Sequence, residues 1–214
     1  MAIPENISVI NTLEELRAIH GEVPAGVAAK VQSRLDRHSR NFLQRSPFLI
    51  LATSSSEGND ASPRGDKPGF VEVLDDTTLL IPERPGNRLA DSLTNIVSNP
   101  AAGLIIMIPG MNETLRINGR AIITDDGKLL EKVAFKGKSP TLGIIIDIEQ
   151  VYFHCAKALI RSSLWNPEFH MPRGEFPTLG KILLDQITGK DSSQAEVSAL
   201  DANLQKDAET NLYH

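Results

Sequence analysis

Phe48-Leu49-Ile50-Leu51-Ala52-Thr53 is the stretch on which the reading of the fold turns. The run is apolar and short, and turn chemistry follows it at once in Ser54-Ser55-Ser56-Glu57-Gly58-Asn59-Asp60, so it reads as a buried β-strand. The texture continues through Gly69-Phe70-Val71-Glu72-Val73-Leu74, an Asp75-Asp76 turn and Thr78-Leu79-Leu80-Ile81, a meander of antiparallel strands. Longer strands are predicted over residues 103–108 and 114–124, joined through Pro109-Gly110, and over 142–155 around Ile144-Ile145-Ile146. Asn118-Gly119 has the composition of a hairpin turn. A turn there would leave two unusually short strands, so the pair is placed inside the strand 114–124.

Outward from this β region the chain reads helical. Thr12-Leu13-Glu14-Glu15 is a capping-box pattern, and Pro24 starts a second stretch where its missing N–H costs little. Pro85-Gly86-Asn87 is read as opening an amphipathic helix (Leu89, Leu93, Ile96, Val97) that stops at Asn99-Pro100. Helices are also predicted over 128–135 and 156–163 and from Leu179 and Gln194, after a loop punctuated by Pro167, Pro172 and Pro177. Six or seven strands in the middle, helices at both ends and one helix between strands argue for an α+β domain on a small antiparallel barrel.

The 214 residues carry 22 Lys+Arg against 27 Asp+Glu and are 41% hydrophobic, ordinary globular values that exclude a disordered, collagenous or coiled-coil chain. Surface scaling predicts a folded area of ~9,700 Å². Cys155, alone of its kind, excludes a disulfide framework and a Cys-rich zinc site. The longest apolar run, residues 104–109, is far short of the ~20 residues that span a bilayer, and Met1-Ala2-Ile3-Pro4-Glu5 lacks a signal-peptide pattern. A soluble, cytoplasmic protein without a membrane partner is therefore expected. The net charge of −5 is uneven: residues 185–214 hold six acids and two bases, and the remainder is almost neutral.

Phosphate-binding Gly-Lys-Ser/Thr loops, the dinucleotide Gly-x-Gly-x-x-Gly, the Gly-x-Ser-x-Gly elbow and His-Glu-x-x-His do not occur, so no catalytic residue is identified. The five histidines (His20, His38, His154, His170, His214) are scattered. His154 and Cys155 would point to opposite faces of a strand end, so both read as structural and no metal is expected. Lys30, Arg34, Arg37, Arg40 and Arg45 lie at loosely helical spacing, a basic face. Because the body is neutral, that face reads as solvated or packed on acids rather than bound to nucleic acid.

Anion-binding chemistry stands out instead. Arg84-Pro85-Gly86-Asn87-Arg88 sits at a strand end and a helix start, where free N–H groups and guanidinium groups suit a phosphate; the alternative is a plain Asn87 cap with solvated arginines. Ser62-Pro63-Arg64-Gly65-Asp66 is either a turn or a second arm of that cradle, with Gly65 admitting a flat ligand to the backbone. Lys157 and Arg161 share a helical face, with Trp165 one turn on if the helix continues, as a surface pair and core indole or as a phosphate and ring clamp.

In order and spacing, Ser62 to Asp66, Gly69-Phe70-Val71, Ile81-Pro82, Gly86-Asn87-Arg88, Asn99-Pro100, Ile108-Pro109-Gly110 and Thr114-Leu115-Arg116-Ile117-Asn118-Gly119 resemble the pyridoxamine 5′-phosphate oxidase-like flavin-binding split barrels. The similarity covers residues 40–165 and is closest to a bacterial branch with His154-Cys155-x-Lys157-Ala158-x-x-Arg161-Ser162-x-Leu164-Trp165.

The resemblance implies a six- or seven-stranded antiparallel split β-barrel with flanking helices at both termini. Residues 1–46 would pack on the barrel, 47–165 form it, and 166–214 make a Pro-punctuated loop and acidic helices. It implies a homodimer with FMN at the subunit interface, acting on a small-molecule substrate or electron donor. By resemblance, Arg64, Asn87 and Arg88 hold the phosphate, with Leu89 where the family has a lysine. Ser62, Gly65, Asp66, Pro82 and Glu83 lie near the ring or ribityl chain, and Arg116, Arg161, Ser162 and Trp165 complete the pocket. The acidic C-terminal segment lacks the basic and aromatic residues that hold pyridoxamine phosphate, so the namesake substrate is not expected. An FMN-dependent oxidoreductase follows, the alternative being a carrier module for flavin, haem or a deazaflavin.

Overall fold

A computed structural model describes residues 7–213; Met1 to Asn6 and His214 lie outside the described residues. Seven strands form one antiparallel sheet: β1 (Phe48–Ser55), β2 (Gly58–Gly65), β3 (Glu72–Val73), β4 (Thr78–Pro82), β5 (Ala101–Met107), β6 (Thr114–Thr124) and β7 (Gly143–His154), in the order β2-β1-β5-β6-β7-β4-β3. Alternate residues point inward. Leu49 and Leu51, Leu104 and Ile106, Leu115 and Ile117, Ile144 and Ile146, and Leu79 and Ile81 are all 1% exposed or less and fill the interior. The sheet curls until the end of β2 faces the end of β4. There the gap is bridged by side chains, Arg64 to Glu83 and Arg84 to Asp66, and not by a strand ladder. This is the expected split barrel.

Among the described residues eight α-helices flank it: α1 (Leu13–His20), α2 (Ala25–Ala29), α3 (Arg37–Leu43), α4 (Asp91–Ser98), α5 (Gly127–Glu131), α6 (Lys157–Arg161), α7 (Leu179–Thr188) and α8 (Gln194–Thr210). The Thr12 capping box forms as predicted. Asp36 caps α3, whose Phe42 and Leu43 are buried; Phe42 meets Phe153 edge-on at 5.4 Å. Helix α4 sits on β1 and β2 through Ser92 Oγ donating to Asp60 (2.6 Å) and Asn95 Nδ2 donating to Thr53 (3.1 Å). Upstream, the aliphatic side chains from Ile7 to Val31 are exposed, and α1 buries none of its residues. No helix among the described residues is long and apolar enough to cross a membrane.

Several local expectations are corrected. Only Ser56 and Glu57 form the first turn; residues 58–60 already belong to β2, whose Gly, Asn, Asp and Pro content disguises a strand. Pro63 is tolerated there because β2 is an edge strand. Of residues 69–74 only Glu72 and Val73 pair. The basic residues from Lys30 to Arg45 share no face, since only α3 is helical among them: Lys30 Nζ donates to the Phe153 carbonyl (3.0 Å), Arg40 pairs with Asp76, and Arg45 bonds Asn41. Helices α5 and α6 are shorter than predicted, and α6 ends before Trp165.

Asn118-Gly119 does lie inside β6. Asn118 pairs with Gln150 and Gly119 with Ile148, so Glu149 is an extra residue bulged from β7. A Cβ on Gly119 would run into the Asp147 carbonyl oxygen, well inside contact distance. That neighbour is backbone and cannot swing away, so the bulge requires glycine. Gly119→Ala is expected to lower the unfolding free energy by about 1–3 kcal/mol in urea melts, whereas Gly127→Ala, where nothing lies within 4 Å, changes it by under ~1 kcal/mol.

Candidate cofactor-binding site

The seam between β2 and β4 opens into a cleft of ≈ 890 Å³. One wall is β2 from Asp60 to Gly65, the other is Pro82 and residues 83–93, and residues 138–141 and Tyr213 close its end. Of the sequence-derived candidates, Ser62, Arg64, Gly65, Pro82, Glu83, Asn87 and Arg88 line it. Asp66 sits just behind the wall, and Arg116, Arg161, Ser162 and Trp165 are not among the lining residues.

The seam is held by reciprocal ion pairs. Arg64 on β2 binds Glu83 beyond β4, while Arg84 Nε donates to Asp66 Oδ2 at 2.7 Å. Arg84 also donates to the Val133 carbonyl (2.9 Å), so it is committed to structure. Arg64 is not saturated: its side chain is 14% exposed, and its Nε is buried with no acceptor among the described residues. A buried guanidinium N–H without a partner is costly.

The loop before α4 departs from the predicted helix start. Helix α4 begins at Asp91, four residues beyond Asn87, and Asn87 accepts a hydrogen bond from Leu89 N (3.0 Å) instead of capping a helix. Arg88 (φ 63°) and Ala90 (φ 59°) both adopt the left-handed conformation, which costs non-glycine residues of order 1–3 kcal/mol each. Ala90, at the N-cap, has no side chain to cap the helix. First-turn N–H groups of α4 and the Arg88 side chain therefore border the cleft, an arrangement suited to a phosphate.

The remaining candidates lie elsewhere: Arg116 on β6, Arg161 and Ser162 at the end of α6, and Trp165 against the β5–β6 connection. Arg116 stacks on Tyr152 (5.4 Å), and its Nε, like that of Arg64, is buried without an acceptor among the described residues. Trp165 Nε1 donates to the Met111 carbonyl (2.7 Å); it leaves the α6 face because the helix ends at Arg161 and Ser163 turns left-handed (φ 50°). No group of three metal-ligating side chains occurs among the described residues.

Sequence reasoning missed residues 138–141 and Tyr213. The first had a faint signal: Lys136-Gly137, both at positive φ, make the tight turn between Phe135 and Lys138. Tyr213 had none, because it reaches Asp66 from 147 residues away. Its hydroxyl donates to Asp66 Oδ1 (2.8 Å), its ring lies 4.2 Å from Phe135, and Arg84 sits 5.5 Å over the ring. The tail thus reaches the cleft.

Burial alone would push the Asp66 carboxyl up, but the Lys67 N–H, the Tyr213 hydroxyl and Arg84 together hold it below the usual value. The Asp66 carboxylate, then burial, raise Tyr213. A lowered carboxyl stabilises the fold above about pH 4, and that contribution is lost as pH falls through the lowered value. Wild type is therefore expected to lose stability on acidification below about pH 4, and Asp66→Asn to lose less over that interval, in urea midpoints. The raised phenol acts oppositely, contributing below about pH 10 and fading above it.

No curated protein matches the chain. Solved structures similar to it include HupZ of Group A Streptococcus (17% identity, 56% of this chain and 93% of that one, TM-score 0.46), a candidate pyridoxamine 5′-phosphate oxidase of Lactobacillus delbrueckii (21%, 56% and 95%, 0.45) and an FMN-binding protein of Syntrophomonas wolfei (10%, 54% and 88%, 0.39). The family model described as pyridoxamine 5′-phosphate oxidase matches residues 35–155. That match spans more than half of the sequence and the whole curled sheet up to β7, and the chain accordingly belongs to the pyridoxamine 5′-phosphate oxidase family.

Proposed function

We propose that the cleft holds FMN and that the protein is an FMN-dependent oxidoreductase working as a homodimer. The observation that carries this reading is the strained, uncapped loop at the head of α4, where Arg88 and the first-turn residues line the cleft that Arg64 also lines. Arg88, the α4 N–H groups and Arg64 would hold the phosphate, with Asn87 shaping the loop. Ser62, Gly65, Pro82 and Glu83 would lie along the ribityl chain and ring, and Asp66 would brace Arg84. Bound flavin supplies hydride and electron chemistry, so the protein needs to orient a substrate and exclude water more than to provide an acid or base. The acidic tail argues against pyridoxamine phosphate as that substrate.

One feature supports the dimer. Arg116, Arg161, Ser162 and Trp165 stand away from their own chain's cleft, and a second copy is the natural recipient of them.

Purified protein is expected to carry one FMN per chain and to sediment as a dimer. Arg88→Ala should weaken FMN binding by about tenfold to a hundredfold, the worth of one charge-assisted phosphate contact, without altering the far-UV circular dichroism. Unchanged FMN affinity in this variant would falsify the phosphate assignment. Flavin that no reductant or acceptor can cycle would turn the reading to a carrier.

A further inference from the structure

Helices α7 and α8 form a hairpin closed on itself: Gly180 N donates to Asp201 Oδ1 (3.0 Å), and Lys181 binds Asp185 (2.7 Å) and Asp191. Its acids are thus partly neutralised within the hairpin, and Val197 is its buried residue on α8. After the end of α8 at Thr210, three residues bring Tyr213 to the barrel seam. The three contacts made there differ in kind: a hydrogen bond to a carboxylate that is 3% exposed, a ring packed on Phe135, and a guanidinium over the ring. Each partner is fixed independently of the tail, Asp66 and Arg84 by their own ion pair and Phe135 by its bridge to Lys138. Tyr213 also lines the cleft. The same side chain therefore fastens the hairpin and walls the binding site.

We propose that Tyr213 is a ligand-retaining residue: docked on Asp66, Arg84 and Phe135, it holds the α7–α8 hairpin at the seam and forms the wall that keeps a planar cofactor in the cleft. The cofactor half of this proposal rests on the flavin reading above; the docking half does not. Tyr213 is a positioning residue that acts by slowing escape, so its effect falls on dissociation more than on association. Phenylalanine would keep the ring wall and lose the bond to Asp66. Alanine would lose both.

The test uses the full-length chain in two measurements. Hydrogen–deuterium exchange of the ligand-free protein reads docking: Tyr213→Ala should speed exchange of the α8 amides about tenfold, because local opening then lacks a charge-assisted bond and a ring contact. Stopped-flow release of FMN reads retention: Tyr213→Ala should accelerate release about tenfold, with Tyr213→Phe between it and wild type. Exchange that is the same in wild type and Tyr213→Ala overturns the docking. Altered exchange with unaltered FMN release overturns the retaining wall. If wild type fails to bind FMN while exchange responds to the substitution, the flavin reading falls, the retention of FMN falls with it, and the docking stands.

Discussion

The ends of an open sheet must be dealt with, and in this protein they are dealt with by charge. Strand β2 is an edge, and an edge left bare invites pairing with other chains. Here the edge is turned toward β4 and tied to it by Arg64 with Glu83 and Asp66 with Arg84, acid and base alternating across the gap. Because each side carries one of each sign, a shift of one position along the seam would oppose like charges. These half-buried pairs repay much of their attraction in lost hydration, so their contribution is to register more than to raw stability. A closed ladder would seal the seam; side chains hold it while leaving a cleft between.

The cleft inherits its chemistry from that arrangement. Arginines placed to tie a seam are also placed beside whatever enters it, and Arg64 both pairs with Glu83 and lines the cleft, with one further nitrogen buried without an acceptor among the described residues. Arg84 lines the same cleft but is engaged on three sides, by Asp66, the Val133 carbonyl and the Tyr213 ring. Proximity of a cation to a cavity is therefore a poor guide to its role. The state of each N–H separates the two.

What was legible in the sequence follows the range of the forces involved. The strands of the barrel interior were readable because short runs of mostly apolar residues supply the alternate side chains that fill it, and α7 and α8 because Thr178 and Ser193 cap them locally. Strand β2 was not, since Gly58-Asn59-Asp60 and Pro63 speak for a turn and only pairing with β1 overrides them. The head of α4 was misplaced for the opposite reason: Pro85-Gly86-Asn87 is a sound local start, yet the chain holds Arg88 and Ala90 left-handed and delays the helix. Seven of the twelve candidate residues proved to line one cleft, because the resemblance carries spatial information that no local pattern has. Tyr213 lay beyond either kind of reading.

The short span of the seam bears on the order in which the molecule assembles. Its two ion pairs join residues only 18 and 19 apart in sequence, and β1 and β2 form a hairpin with a two-residue turn. Closing such loops is entropically cheap, whereas β4 pairs with β7 across more than sixty intervening residues, as in Leu80 with Ile145. Three sides of the cleft, β2, the end of β4 and the loop after it, therefore belong to one local unit that can gather before the barrel exists. On that argument the distant strands would close last, over a cleft whose walls are already drawn together.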